Sequence, residues 1–300
     1  MTSIVTTDRI RFVNAAGEVL VGDLYRPAST VQSDAAAVVV TGSWTTVKEQ
    51  MAGLYARRLA AEGFVALAFD FAGYGQSSGS PRDVEDPQRK ADDINAAVSF
   101  LETAPGVDPR RLGAMAVCAS SGYTAHNAAH DPRVRSLGMV APWLHNPELV
   151  KPYYGGDEGV AARLAAAERA RDRFDHDGTV DYIPAVSETD PSAAMFGPFA
   201  YYLDPARGAI PEWGSRFAVM AWTQWLTYNA LTCAAHVAQP VRIVHSRDGA
   251  VPDGAEAFAD GLATPADLIW TDGGQLDFYD QPRQVDFAVT QMADHFRATL

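Results

Sequence analysis

The chain has 300 residues, 47% of them hydrophobic, enough to bury one large core and, at that length, to carry an inserted subdomain. Its 24 Lys and Arg against 37 Asp and Glu give a net charge of −13, which repels phosphate backbones and anionic lipid and argues against nucleic acid or membrane as partners. The two cysteines, Cys118 and Cys233, form no disulfide or zinc spacing. No basic-then-apolar leader opens the chain, and no apolar run approaches the roughly 18 residues of a membrane span. The expectation is a soluble cytoplasmic protein with no metal and no cofactor.

In chain order, "DRIRFVNAAGEVLVGDLYRP" (8–27) alternates apolar and polar residues on both sides of "NAAGE", which predicts a β-hairpin. "AAAVVV" (35–40) is a short apolar run, the pattern of a strand buried on both faces. A helix is predicted over 47–63, with Met51, Leu54, Tyr55 and Leu59 at helical spacing and Gly63 at its close. "FVALAFDF" (64–71) is a second buried strand, and 86–104 an amphipathic helix with Pro87 at its start. "RLGAMAV" (111–117) predicts a strand, "SSGYTAHNAAH" (120–130) a helix and "VRSLGMVAPW" (134–143) a strand. From Leu144 to about Ala238 this rhythm breaks into a stretch rich in aromatics, Pro and Gly. It is too long for an ordinary loop and reads as an inserted cap. The rhythm returns with a strand (241–246), a helix (254–262), a strand (266–273) and a last helix (281–300). The expected class is α/β: a mostly parallel sheet with helices on both faces, an antiparallel hairpin at one edge, a core of 1–143 and 239–300, and a cap of 144–238.

Ligands of open α/β sheets bind beyond the carboxyl ends of the strands. Those positions here hold "TGSWTT" (41–46), "DFAGYGQSSG" (70–79), "CASSG" (118–122), "RDGAVP" (247–252) and "GQLDFYD" (274–280). In this order they resemble the α/β-hydrolase superfamily over nearly the whole chain. The likeness is greatest to a bacterial group of acyl hydrolases and acyltransferase-like proteins, related at a distance to dienelactone hydrolases. The resemblance implies the α/β-hydrolase fold, a nucleophile elbow after "VDPRRLGAMAV" and an acid loop at "RDGAVP".

An elbow is a strained strand-to-helix turn, so the residues two before and two after the nucleophile must be small. Cys118 has Ala116 and Ser120 as flanks, and Ser120 has Cys118 and Gly122; Ser121 fails on Tyr123. The family's lead-in register favours Cys118, with Ser120 as the alternative nucleophile. The N-terminus of the following helix is expected to lower the thiol pKa from about 8.5. The backbone N–H groups of Ala119 and Ser43 are the expected oxyanion donors, with Thr41-Gly42 standing where the family usually has His-Gly. Asp248 is the implied acid. The implied histidine seat in "DGGQLDFYD" holds Gln275, which accepts no proton at neutral pH. His145, just after "VAPWL", is the alternative base. Trp44 and Trp143 follow sheet strands and are expected to face the ligand, beside some of the cap's aromatics. Lys48 and Arg82 read as solvated positions, with a secondary reading as partners of an anionic substrate group.

A cysteine depends less on a base than a serine does, because part of it is thiolate anyway. Acylation needs no base, but deacylation by water does. The expectation is therefore an enzyme acting on an ester or thioester through Cys118, by hydrolysis or acyl transfer, on a largely apolar small-molecule acyl substrate. The alternatives are cyclase, isomerase or lyase chemistry in the same pocket, and a non-catalytic ligand-binding pseudo-hydrolase.

Overall fold

In the computed structural model, which describes residues 4–28 and 34–300, the opening alternation folds as a hairpin of β1 (Val5–Val13) and β2 (Val19–Pro27). The Asn14 side-chain oxygen accepts from the N–H groups of Ala16 and Glu18, and Gly17 takes φ +80°, a left-handed turn that suits glycine. The apolar runs form parallel strands β3 (Ala35–Thr41), β4 (Val65–Phe69), β5 (Val107–Val117) and β6 (Val134–Val140), nearly every residue of which is buried. Between them run α1 (Met51–Ala61), α2 (Pro87–Thr103) and α3 (Ser120–His130).

The segment between β6 and the next sheet strand contains α4 (Gly156–Asp177), β7 (Tyr182–Pro184), β8 (Val186–Ser187), β9 (Met195–Phe196), α5 (Ala200–Leu203), β10 (Arg216–Ala218) and α6 (Trp222–Thr227). The chain then completes the sheet with β11 (Val241–Ser246), α7 (Pro252–Gly261), β12 (Asp267–Thr271), α8 (Asp277–Asp280) and α9 (Pro282–Thr299). The eight-stranded sheet has the order β1-β2-β4-β3-β5-β6-β11-β12, antiparallel through the hairpin and parallel from β4 onward. Among the described residues no helix is long and apolar enough to cross a membrane.

Several predicted boundaries move, two of them for local reasons that the hydrogen bonds and dihedrals show. The first helix starts at Met51 and not at Val47, because side chains claim the preceding backbone: Gln50 Oε1 accepts from Val47 N–H and Asp70 Oδ1 from Lys48 N–H. The strand expected to reach Trp143 stops at Val140, where Ala141 takes φ +42°. At α2 the Asp86 carboxylate caps the N–H groups of Gln88 and Arg89, and Pro87 fills the first helical position.

Two buried ion pairs anchor the loops at the carboxyl end of the sheet. Lys48 is fully buried, with Nζ 2.8 Å from Asp70 Oδ2, so it is no solvated residue. The Lys90 ammonium meets both Glu85 oxygens at 2.7 and 2.8 Å, and the same carboxylate accepts from Tyr123 OH, Tyr74 OH and the Thr45 N–H. Arg82 donates to the carbonyls of Ser77 and Gly75. Lys48 and Arg82 therefore stabilise loops, and neither lines the cavity described below.

Candidate active site

Cys118 follows β5 directly and has φ +61°, a conformation that costs a non-glycine residue energy unless its surroundings fix it. They do. Its N–H donates to Val140 O at 3.1 Å, and its carbonyl accepts from Ser121 N–H (3.1 Å) and Trp143 N–H (3.0 Å). The small flanks Ala116 and Ser120, both fully buried, leave room for the turn. The thiol, on a residue 5% exposed, lines a cavity of about 280 Å³. Ser120 does not line it: it is the first residue of α3, and its Oγ donates to Val117 O at 3.3 Å. The structure places Cys118 at the turn, facing the cavity, and bonds the Ser120 hydroxyl to the strand end.

Four hydrogen-bonding groups face the sulfur: the hydroxyls of Ser43 and Tyr279, the Ala119 N–H and the Gln275 side chain. Burial nevertheless outweighs them and pushes the Cys118 thiol above its ordinary pKa. The expected depression by the helix N-terminus is corrected on this point. Ala119 N–H does favour the thiolate, but desolvation is the larger effect.

Ser43 also differs from expectation. Its N–H is directed at Met51 Sδ, 3.4 Å away, so this backbone donor does not serve the cavity. Its hydroxyl does, at the centre of a chain in which Tyr202 OH donates to Ser43 Oγ (2.8 Å) and Tyr279 OH lies 3.1 Å from the same atom. Tyr279 was not singled out from the sequence; it lies four residues after Gln275, whose Nε2 donates to its hydroxyl at 3.3 Å.

Gln275 occupies the seat opposite the thiol, and backbone groups hold it. Its Oε1 accepts from Ala250 N–H at 2.9 Å, and its Nε2 donates to Ala141 O at 2.8 Å and to Tyr279 OH at 3.3 Å. Asp248 is not brought to the site. Its side chain is exposed on the turn after β11, its N–H is tied to Ser246 Oγ at 3.1 Å, and among the described residues no hydrogen bond links it to Gln275. The Ala250 N–H stands where a supporting carboxylate was expected.

His145 does not substitute as a base. It is 1% exposed and absent from the cavity wall; Nδ1 accepts from Trp143 Nε1 at 2.8 Å and Nε2 faces Trp225 O at 2.9 Å. Burial lowers its pKa to about 4.

Trp44 and Trp143 both line the cavity, as expected, with Tyr153, Tyr154, Phe199 and Trp225 from the segment between β6 and β11. Other aromatics of that segment pack behind: Trp44 lies 4.8 Å from Phe217 and 6.0 Å from Trp222, and Trp213 Nε1 donates to Thr45 O at 2.9 Å. Half-exposed Tyr153 and Phe196 mark the opening. Among the described residues no group of three or more His, Cys, Asp or Glu comes together to hold a metal ion.

A family model described as PET hydrolase-like matches residues 3–151. The uncharacterized protein YcjY of Escherichia coli K12 is 30% identical over 284 residues, covering 88% of this chain and 89% of that one. The polyketide transferase claH of Penicillium crustosum is 26% identical over 231 residues, 75% of this chain and 74% of claH. The crystal structure of the hypothetical protein PA2218 from Pseudomonas aeruginosa superposes with a TM-score of 0.87 at 26% identity, covering 99% of this chain and 94% of that chain.

Proposed function

Because the chain belongs to the α/β-hydrolase superfamily, we propose that it moves an acyl group from an ester or thioester through a covalent intermediate on Cys118, with residues 144–238 acting as a cap over a core of 1–143 and 239–300. One observation carries this reading. The positive-φ turn between β5 and α3 holds a cysteine that lines the cavity, while the seat opposite holds a glutamine whose Oε1 and Nε2 are tied to Ala250 N–H and Ala141 O. The sulfur attacks the acyl carbon, a C–S bond forms, and the bond to the leaving group breaks. The thiol proton passes to the leaving group through the hydroxyls of Ser43 and Tyr279, each accepting one proton and giving another. The developing oxyanion is met by Ala119 N–H. Among the described residues of the cavity wall none is a histidine or carboxylate able to activate water as a general base, which supports transfer to a better nucleophile over hydrolysis. The name of claH, a polyketide transferase, supports the same direction.

The test is intact-protein mass spectrometry after exposure to activated esters and thioesters. A single acyl adduct is expected on the wild type and none on Cys118→Ala, and an amine, alcohol or thiol acceptor discharges the adduct faster than water. An equal adduct on Cys118→Ala ends the proposal. A second reading draws on the raised thiol pKa: the pocket serves cyclisation, isomerisation or lyase chemistry without a covalent intermediate. Turnover that survives Cys118→Ala distinguishes it.

A further inference from the structure

Among the described residues that line the cavity, one side chain is charged. Arg163 projects from α4 into a wall otherwise made of aromatic, aliphatic and uncharged polar groups. Its surroundings differ from those of most arginines in this chain. Arg9, Arg89, Arg133, Arg207 and Arg216 each pair with a carboxylate, but among the described residues none lies within ion-pair distance of Arg163. Instead its Nη1 donates to two backbone carbonyls, Tyr154 O at 2.9 Å and Gly159 O at 3.1 Å. The guanidinium carbon sits 5.3 Å from the ring centroids of both Tyr154 and Trp222. The carbonyls and the rings fix the group in place before any ligand arrives.

That arrangement leaves one edge of the guanidinium without an acceptor among the described residues: the Nε and Nη2 donors. They are parallel N–H groups spaced to match the two oxygens of a carboxylate. The apolar walls weaken water's screening, so a charge-assisted pair here is stronger than on the surface. A net charge of −13 makes this setting still more selective, since an anion is repelled by the chain as a whole and meets a single cation inside the cavity.

We propose that Arg163 is a specificity residue for substrates that carry a second carboxylate. The acyl chain ends in a carboxylate remote from the reacting carbonyl, and Arg163 grips it while the carbonyl lies at Cys118. Two elements set the two ends: Cys118 sits on the turn directly after β5, and Arg163 on helix α4 of the inserted segment. The assignment of the reacting end rests on the acyl-transfer reading above. The assignment of the carboxylate end does not require chemistry at all.

The test uses a medium-chain dicarboxylic acid monoester and its neutral diester. Trp44, Trp143 and Trp225 line the cavity, so quenching of tryptophan fluorescence reports binding of either compound. The wild type is expected to bind the monoester tighter than the diester by on the order of tenfold. In Arg163→Met the ratio of the two affinities falls to about one, and Arg163→Lys, which keeps the charge but loses the fork, falls between. The ratio also falls as the pH drops below about 4.5 and the ligand carboxylate protonates. A wild-type ratio near one overturns the proposal. So does a ratio that Arg163→Met leaves intact, or the absence of saturable quenching by both compounds. Activated forms of the two compounds, scored for Cys118 acylation by mass spectrometry, separate the two claims. Acylation without preference removes the Arg163 assignment alone. Preference in binding without acylation removes the Cys118 reading alone.

Discussion

Acid should destabilise this protein through His145, by an amount its geometry sets. The ring is buried; its Nδ1 already accepts from Trp143 Nε1, and its Nε2 faces Trp225 O. Burial disfavours the charged ring, and a proton on Nδ1 would set two donors against each other, so the folded value falls to about 4 from an ordinary 6.5. The unfolded chain then binds the proton first. Stability from this residue is therefore intact above pH 6.5 and is lost as the pH falls toward 4. With about 1.4 kcal/mol per pKa unit, the loss is on the order of 2 kcal/mol by pH 5 and 3 kcal/mol by pH 4. Other groups titrate in the same window, so the clean measurement is a difference. Urea unfolding of the wild type and of His145→Gln at pH 7 and pH 5 gives the stability gap at each. The variant is expected to be weaker at pH 7, with a gap that narrows by about 2 kcal/mol at pH 5. A gap independent of pH would refute the assignment of a neutral, buried His145.

The raised thiol pKa predicts that iodoacetamide labelling of Cys118, followed by peptide mapping to separate it from Cys233, still accelerates with pH at pH 9.0; a plateau near neutrality contradicts it. Glu85→Ala strands the Lys90 ammonium in the core and removes the acceptor of three other donors, so it should cost about 3–5 kcal/mol in urea unfolding, and a loss below about 1 kcal/mol counts against the network. Gln275→His should not create an efficient esterase. The Ala250 N–H that now donates to Gln275 Oε1 would donate to the ring nitrogen facing it, leaving the proton on the nitrogen that should act as base. A gain of about a hundredfold in hydrolysis of activated esters, within the usual reach of general-base catalysis, would show that reasoning wrong.

The periodicity of "AAAVVV" and "RLGAMAV" determined β3 and β5, because strands buried on both faces need continuous apolar runs whatever lies around them. The small residues around Cys118 likewise made the elbow legible, since its steric demand falls on neighbours two positions away. Gln275 was identified at its seat for the same reason: a motif is a local pattern. What that seat does was not local. The backbone partners of Gln275 are Ala250 and Ala141, the first 25 and the second 134 residues away in the chain. The Ser43 N–H turned to Met51, Asp248 turned outward, and Arg163 reached the cavity from a helix whose own pattern gives no sign of it. The direction of the Cys118 pKa shows the division most directly. The helix that follows it in sequence favours the thiolate, but burial, created by groups from separate parts of the chain, favours the thiol and is the larger effect. Sequence determined which residues meet at short range, and only the tertiary structure decided how much water and which hydrogen-bond partners each of them keeps.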